Sequence, residues 1–341
     1  LSDLNHDRTT TDNDPEWRCA MTQVLLVDID SKIPNLALCQ ISAWHKQQGD
    51  IVGFDIQNPD KVYISCIFTK NAEQARGVAT YYPNAEIDIG GTGISLKKEL
   101  PDEMRWIKPD YDLYPSTYSQ GFTTRGCIRK CPFCVVPEKE GKIHEAQHPK
   151  DFYDPRFDTC MIMDNNLFAA PPKWQWEVFK WFHDTKTKML SPQGWDIRLL
   201  TEERAGFLKL VRHAGNIHFA WDNLSDEDAV KRGIELLKER GFNLKHDIQF
   251  YVLTGFDHEL EELLAIKSQN RTPNQNERIE EIYGRLFSEA LYRCEKLKEW
   301  GTNAFVMPYR KTPQINALAR WANKKWLYWS IPFEKYSRRK R

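Results

Sequence analysis

Three of the chain's eight cysteines, Cys127, Cys131 and Cys134, fall within eight residues, on a segment that also carries Pro132 and Gly141. A loop of that kind can wrap three thiolates round one metal centre. Thiolate ligation is the usual means of holding an iron–sulfur cluster, and three cysteines leave one iron of a four-iron cluster without a protein ligand. That open iron can take a cofactor or a substrate. A structural zinc site is the alternative, with His144 or His148 as fourth ligand, although zinc more often uses a two-residue gap in its first cysteine pair. A thiol switch would not require three cysteines.

Composition narrows the class. The 341 residues suit either one barrel with an extension or two domains. Lys and Arg (48) balance Asp and Glu (48), so no global field draws the chain to nucleic acid or to a membrane. No run of about 18 apolar residues occurs, and the polar first residues lack the basic and apolar regions of a signal peptide. The expectation is a cytoplasmic protein without a membrane partner. Cytosolic thiols are kept reduced, so no disulfide framework is expected. Cys39, Cys66, Cys160 and Cys294 lie in apolar surroundings and read as small buried hydrophobes, while Cys19 stands apart from them.

Residues 1–20, dense in Asp, Asn, Thr and Arg, show no apolar period and read as a disordered leader or an upstream extension. From Met21, apolar runs at Val24–Asp28, Val62–Ser65 and Ile87–Gly91 alternate with helical stretches at Leu36–Lys46 and Ala72–Tyr81, which predicts a small parallel sheet with crossovers. Pro101–Tyr118, rich in Pro, Asp and Tyr, predicts the domain boundary. Beyond it, strands are expected at Phe122–Thr124, Thr159–Met163, Trp195–Leu199, Ile217–Trp221, Ile248–Leu253 and Ala304–Met307, mostly with helices between them. Ser225-x-x-Asp228 predicts the cap of one helix and Gly241 its end. Trp174, Val178 and Trp181 predict the packed stripe of another. Six strands in this alternation predict an incomplete (β/α) barrel with active residues at strand C-terminal ends.

The pattern Cys-x-x-x-Cys-x-aromatic-Cys, with Phe133 in the aromatic place, follows the strand-like Gly121–Gly126 and resembles the signature of the radical SAM superfamily. The resemblance implies a 4Fe-4S cluster on Cys127, Cys131 and Cys134 whose fourth iron is chelated by S-adenosyl-L-methionine (SAM). It also implies an electron donor such as a flavodoxin or ferredoxin, and cleavage of SAM to methionine and a 5′-deoxyadenosyl radical that abstracts hydrogen from substrate. In such folds the end of the second strand, here Asp164-Asn165-Asn166, helps hold the SAM amino group, and the end of the fourth, here Asp222, contacts its ribose. Read from the residues alone, these are also an Asx-rich turn and the turn before a helix. Asp196 and Arg198 alternate with Ile197 and Leu199 and share one face, as a SAM carboxylate site or a structural ion pair. Gly255 ends the fifth strand and allows close backbone approach by a ligand such as adenine. Tyr309 and Arg310 are candidate substrate contacts. Arg125, Lys130 and Lys139 flank the cysteine loop, either docking the electron donor or lying on solvated surface.

Residues 21 to about 100 resemble the cobalamin-binding-like, Rossmann-like domain that precedes the barrel in one radical SAM branch, on Val24–Asp28, Pro34-Asn35-Leu36 and Ile89-Gly90-Gly91. The His that ligates cobalt in that family is missing: Ser31 and Lys32 follow Asp28 and Asp30, and His45 lies within a helix. Cobalamin is therefore the lesser expectation, and a degenerate domain for substrate recruitment the preferred one. Gly90-Gly91-Thr92-Gly93 lacks the Lys-Ser or Lys-Thr of a triphosphate loop. Cys19, Cys39 and Cys66 give no motif for a second cluster. Trp321 to Lys340 interleaves aromatics with Lys and Arg, as an RNA or DNA contact would, but a packed amphipathic helix with a basic tail is preferred. The expected organisation is α/β: a leader 1–20, a Rossmann-like parallel sheet 21–110, a partial (β/α)6 TIM-like barrel 111–315, and a C-terminal helix and basic tail 316–341. The expected function is radical SAM chemistry on an unknown small molecule, peptide or RNA. A cobalamin-assisted methyltransferase is the alternative within the class, and a zinc or nucleic-acid-binding module the alternative outside it.

Overall fold

Val24, Leu25 and Leu26 are successive residues and all buried, the mark of a strand covered on both faces, as parallel sheets are. The computed structural model describes residues 21–338, so the expected leader and the end of the basic tail lie outside the described residues. Four parallel strands form the first sheet: β1 (Gln23–Asp28), β2 (Ile51–Gly53), β3 (Lys61–Ser65) and β4 (Glu86–Gly90), in the order β2-β1-β3-β4. The helix Leu36–Gln47 starts at Asn35, whose side chain accepts from the Leu38 N–H and donates to Ser31 and Ser65, so the cap also ties β3 to the helix. Val24, Leu26 and Tyr63 pack with Leu38 and Ile41 on one face, and Leu25, Val62 and Ile64 with Ala75 on the other. Strand β2 was not expected; it has three residues, and the side chain of Ile51 is largely exposed, so no apolar run marks it.

The second half is built on β5 (Ser119–Gly121), β6 (Thr124–Arg125), β7 (His144–Glu145), β8 (Thr159–Ile162), β9 (Lys188–Leu190), β10 (Ile217–Ala220), β11 (Ile248–Thr254) and β12 (Asn303–Pro308). Strands β5-β8-β9 are parallel, as are β10-β11-β12, and single parallel bridges join Met189 of β9 to His213 and Trp195 to Phe219 of β10. Strands β6 and β7 form an antiparallel pair. Helices including Pro172–Thr185, Glu227–Glu239 and Pro273–Glu299 lie between the strands, and one apolar cluster joins Phe168, Phe179, Phe219, Trp221 and Phe250 to the C-terminal Trp321 and Tyr328. The molecule is thus mixed α/β with parallel sheets. Among the described residues no helix is long and apolar enough to cross a membrane.

Several local expectations need correction. Trp195–Leu199 is not a strand: Trp195 makes one bridge, and Ile197–Leu199 is a 3-10 turn whose Arg198 N–H donates to the Asp196 side chain. The third strand lies earlier, at β9, where only Met189 is buried and no apolar run exists to announce it. The strand expected at Phe122–Thr124 ends at Gly121. Ser225 is not a cap, since the helix starts at Glu227 after a 3-10 turn. In Pro172–Thr185 the buried face is Gln175, Val178, Phe179 and Phe182, with Trp174 and Trp181 at its margin. The helix Pro313–Ala322 crosses the expected boundary at 315 and packs on the core through Ile315, Leu318 and Trp321.

The expected linker Pro101–Tyr118 is also a strap. Tyr111 is buried, its hydroxyl donates to the Phe152 carbonyl at 2.6 Å, and it accepts from the Gln120 N–H at 3.0 Å. The Tyr114 hydroxyl reaches back to Asp28 at 2.6 Å, and Asp110 accepts from Ser42 and pairs with Lys46. Tyr111→Phe removes a buried donor and leaves the Phe152 carbonyl unpaired. The expected loss is roughly 1–3 kcal/mol, read as a lower urea midpoint at unchanged slope.

Candidate metal and cofactor site

The cysteine loop leaves β6 and returns as β7. Gly126, at φ +78°, makes the exit, and a Cβ there would lie 2.3 Å from the Lys142 carbonyl oxygen of the returning chain, so only glycine fits. Glu140 closes the loop at its base. Its carboxylate, almost wholly buried, accepts from the Gly126 N–H at 2.9 Å, from Arg125 at 2.8 Å and from the Asn165 amide at 2.7 Å. Lys139 donates to Thr92 at 2.6 Å, joining the loop to the first sheet. Phe133 sets its ring edge-on to Phe256 beyond β11, at 5.8 Å.

Cys127 and Cys131 are half-buried and Cys134 is exposed. Burial pushes the Cys131 and Cys134 thiols up, and the neighbouring cysteines and Asp222 push them further, with Arg198 opposing at Cys131. The three thiols, Asp222 and Arg198 therefore share one electrostatic neighbourhood. Among the described residues no group of three or more His, Cys, Asp and Glu side chains is drawn together tightly enough to hold a metal ion. The two histidines weighed as zinc ligands are engaged elsewhere: His144 lies 3.0 Å from the Lys142 carbonyl, and His148 accepts from the Lys150 N–H and packs edge-on to Trp174 and Trp181.

The strand-end residues arrive from four directions. Asn166, after β8, is buried. Its amide nitrogen lies 3.6 Å from the Cys127 sulfur and 3.5 Å from Asp196, while its Oδ1 has no hydrogen-bond partner. The amide nitrogen therefore faces the thiol, and the side chain stands where the end of β8 meets the cysteine loop. Asn165 is used by the Glu140 clamp. Asp164 points inward: it accepts from the Thr123 N–H at 2.6 Å, the Thr124 hydroxyl at 2.8 Å and the Thr123 hydroxyl, so it ties β8 to β6. Burial pushes its carboxyl up to about 6 against those hydrogen bonds.

Asp196 and Arg198 form an ion pair at 2.7 Å, and Asp196 also holds Arg129 of the cysteine loop at 2.8 Å, while Arg198 reaches Asp226. Of the two readings given to this pair, the geometry shows the ion pair. Asp222 is raised by burial, and its side chain accepts from the Leu253 N–H. Gly255, at φ +85°, gives its close approach to the Arg310 backbone, 2.6 Å from a would-be Cβ, and not to open space for adenine. Arg310 is paired bidentately with Glu261, and Tyr309 packs on Phe256. Lys130 is exposed.

Arg129, Glu140 and Arg293 were not anticipated. Arg293 is buried in the last third of Pro273–Glu299 and donates to the carbonyls of Trp221, Asp222 and Leu253, capping the ends of β10 and β11. Its place on the stripe Ile279, Ile282, Leu286, Ala290 and Leu297 is the one sign in the sequence that it is buried.

In the first sheet, His45 has Asp50 at 2.6 Å from Nδ1 and the Tyr63 hydroxyl at 3.2 Å from Nε2, so both ring nitrogens are engaged and neither fits a cobalt ligand. Gly91 and Gly93 serve backbone packing on Cys66 and Phe68, where Cβ atoms would lie 2.3 and 2.7 Å away. Between this sheet and the cysteine loop is an open cleft of about 1060 Å3, bordered by Trp44, Phe68, Thr92, Trp106, Lys139 and Met163. Compared with known proteins, the chain matches no family model and no curated protein.

Glu140→Ala should loosen the loop, with several-fold faster maleimide labelling of Cys127 and Cys131 at unchanged circular dichroism. For Asp164 the sign follows from its raised pKa. Between pH about 4 and about 6 the unfolded chain ionises this carboxyl while the fold keeps it protonated, so stability falls as pH rises through that window. Asp164→Asn cannot ionise. Its stability relative to the parent should rise by on the order of 2–3 kcal/mol from pH 4 to pH 7, measured by urea unfolding at each pH.

Proposed function

We propose that this chain is a radical SAM enzyme, with the first sheet a Rossmann-like domain and the strands β5, β8, β9, β10, β11 and β12 a partial (β/α)6 barrel. The observation that carries the reading is the buried Asn166 at the end of β8, whose amide nitrogen lies 3.6 Å from the sulfur of Cys127 on the cysteine loop. Supporting it, the loop contacts the segments that follow the parallel strands β8, β9 and β11 through Asn166, Asp196 and Phe256, the side at which such barrels place their chemistry.

In this reading Cys127, Cys131 and Cys134 hold a 4Fe-4S cluster, and the donor chemistry fits: three soft thiolates from one loop, with no fourth ligand from His144 or His148. When bound, the cluster supplies the electron that cleaves SAM. The protein's own residues orient and enclose. Asn166 Oδ1 accepts a hydrogen bond from the SAM amino group, Asp222 faces the ribose, and Glu140 with Asn165 keeps the loop seated on β8. Arg129 and Asp196 fix the backbone between the first two cysteines. Lys130, exposed on the loop, meets a flavodoxin or ferredoxin. A cytoplasmic setting keeps the thiols reduced. The substrate is a small molecule, peptide or RNA, and the engaged ring of His45 argues against a cobalamin-assisted methyltransferase.

Anaerobic reconstitution with iron and sulfide, followed by dithionite and SAM, tests the proposal. The parent should yield 5′-deoxyadenosine, and the Cys127→Ala/Cys131→Ala/Cys134→Ala variant none. A parent that binds one zinc, takes up no iron and makes no 5′-deoxyadenosine is a structural zinc module, and the reading fails.

A further inference from the structure

The cleft between the first sheet and the cysteine loop is bordered by ionisable side chains that nearly all cancel within the fold. His45 pairs with Asp50, Lys61 with Glu86, Lys98 with Asp88, Arg105 with Glu99 and Arg125 with Glu140, each within 2.8 Å. Lys32 and Glu103 stand exposed, where water screens them, and His144 lies against the Lys142 carbonyl. That leaves Lys139. It is half-buried, and among the described residues it forms no ion pair and one hydrogen bond, 2.6 Å to the Thr92 hydroxyl.

The bond between Lys139 and Thr92 sets two donors side by side. An ammonium carries three N–H groups and a hydroxyl one O–H. Lys139 therefore keeps two N–H groups and Thr92 its own hydrogen, and both residues line the cleft. Burial and the Arg125 charge lower the Lys139 pKa, against the pull of Glu140 and Glu99. An ammonium so placed lacks a counter-charge, and an anion that settles beside it supplies one. Glu140 and Glu99 also limit that charge: Lys139 balances one negative unit, and a second would face their carboxylates.

The cleft also has an apolar wall. Ile33, Ile67, Phe68 and Trp106 border it, and each keeps more than a third of its surface exposed. Phe68 belongs to the Lys139 end, because Gly93, next to Thr92, packs so closely on the Phe68 backbone that a Cβ would stand 2.7 Å from it. Exposed apolar surface with a polar rim marks a ligand groove, and about 1060 Å3 is room for a molecule of drug size or larger. We propose that the cleft binds a largely apolar molecule carrying a single carboxylate, with the carboxylate on Lys139 and Thr92 and the body along Phe68 and Trp106. The inference rests on the lining of the cleft and not on what the cysteines hold, so either can fail without the other.

Fluorescence titration of the full chain with 11-(dansylamino)undecanoic acid tests it, beside the primary amide of the same probe as the uncharged counterpart. The acid should bind at least about tenfold more tightly than the amide, the ratio that one charge-assisted hydrogen bond accounts for. Lys139→Gln should lower the affinity for the acid to that for the amide and leave the amide unchanged, the sign that the cleft is still formed. If Lys139→Gln does not retain the parent's circular dichroism, Thr92→Val carries the test and should reduce the acid preference. Phe68→Ala, at an exposed side chain, should weaken acid and amide alike by several-fold, and the triple cysteine variant should bind both as the parent does. No dansyl enhancement at micromolar concentration, equal affinity of the parent for acid and amide, or an acid preference that survives in the folded variant or is lost with the cysteines alone overturns the proposal.

Discussion

Parallel strands cannot be joined by tight hairpins, and that constraint organises the molecule. Each parallel neighbour among β1–β4, β5-β8-β9 and β10–β12 needs a crossover to the far edge and back. Successive strands therefore leave their sheet at one common edge. In the second half, that edge is where Asn166, Asp222, Gly255 and Tyr309 emerge, from segments far apart in the chain. The antiparallel pair β6–β7 breaks the pattern. By returning beside itself it pins both ends of the cysteine loop and lays the loop across the edge.

Buried charge holds this edge in place. A carboxylate out of water needs several donors to remain stable there. Glu140 finds three, from the loop's start and from β8's end, and Asp164 finds its own in the two threonines that open β6. Arg293 does the converse, placing its donors on three carbonyls that the ends of β10 and β11 would leave unpaired. These groups frame the site without facing it. Beside them stand the three thiols, with the Asn166 amide against Cys127.

The two sheets are not independent neighbours. The Pro101–Tyr118 segment has the composition of a linker, yet its tyrosine hydroxyls and Asp110 bond to residues of both halves. Lys139 adds a bond from the cysteine loop to Thr92 at the end of the first sheet. Arg125, Lys139 and Glu140 of the cysteine-loop region also line the cleft between them.

Strands with an aliphatic run of their own were legible in the residues: β1, β3, β4, β8, β10, β11 and β12 lie within a residue or two of where apolar runs place them. The α/β class followed from that alternation alone. Strands β2, β5 and β9 were not legible, because three residues carry too little local preference and exist as strands only through the hydrogen bonds of a parallel partner. The site divides in the same way. The identity of the thiols and of Asn166 is local information, printed in the chain. That Asp164 turns inward, that Asp196 holds Arg129, that Arg293 caps carbonyls some 70 residues away and that His218 meets Tyr251 are decided by the tertiary structure, since a hydrogen bond or a ring contact between distant segments depends on register and burial, which no single stretch of sequence contains.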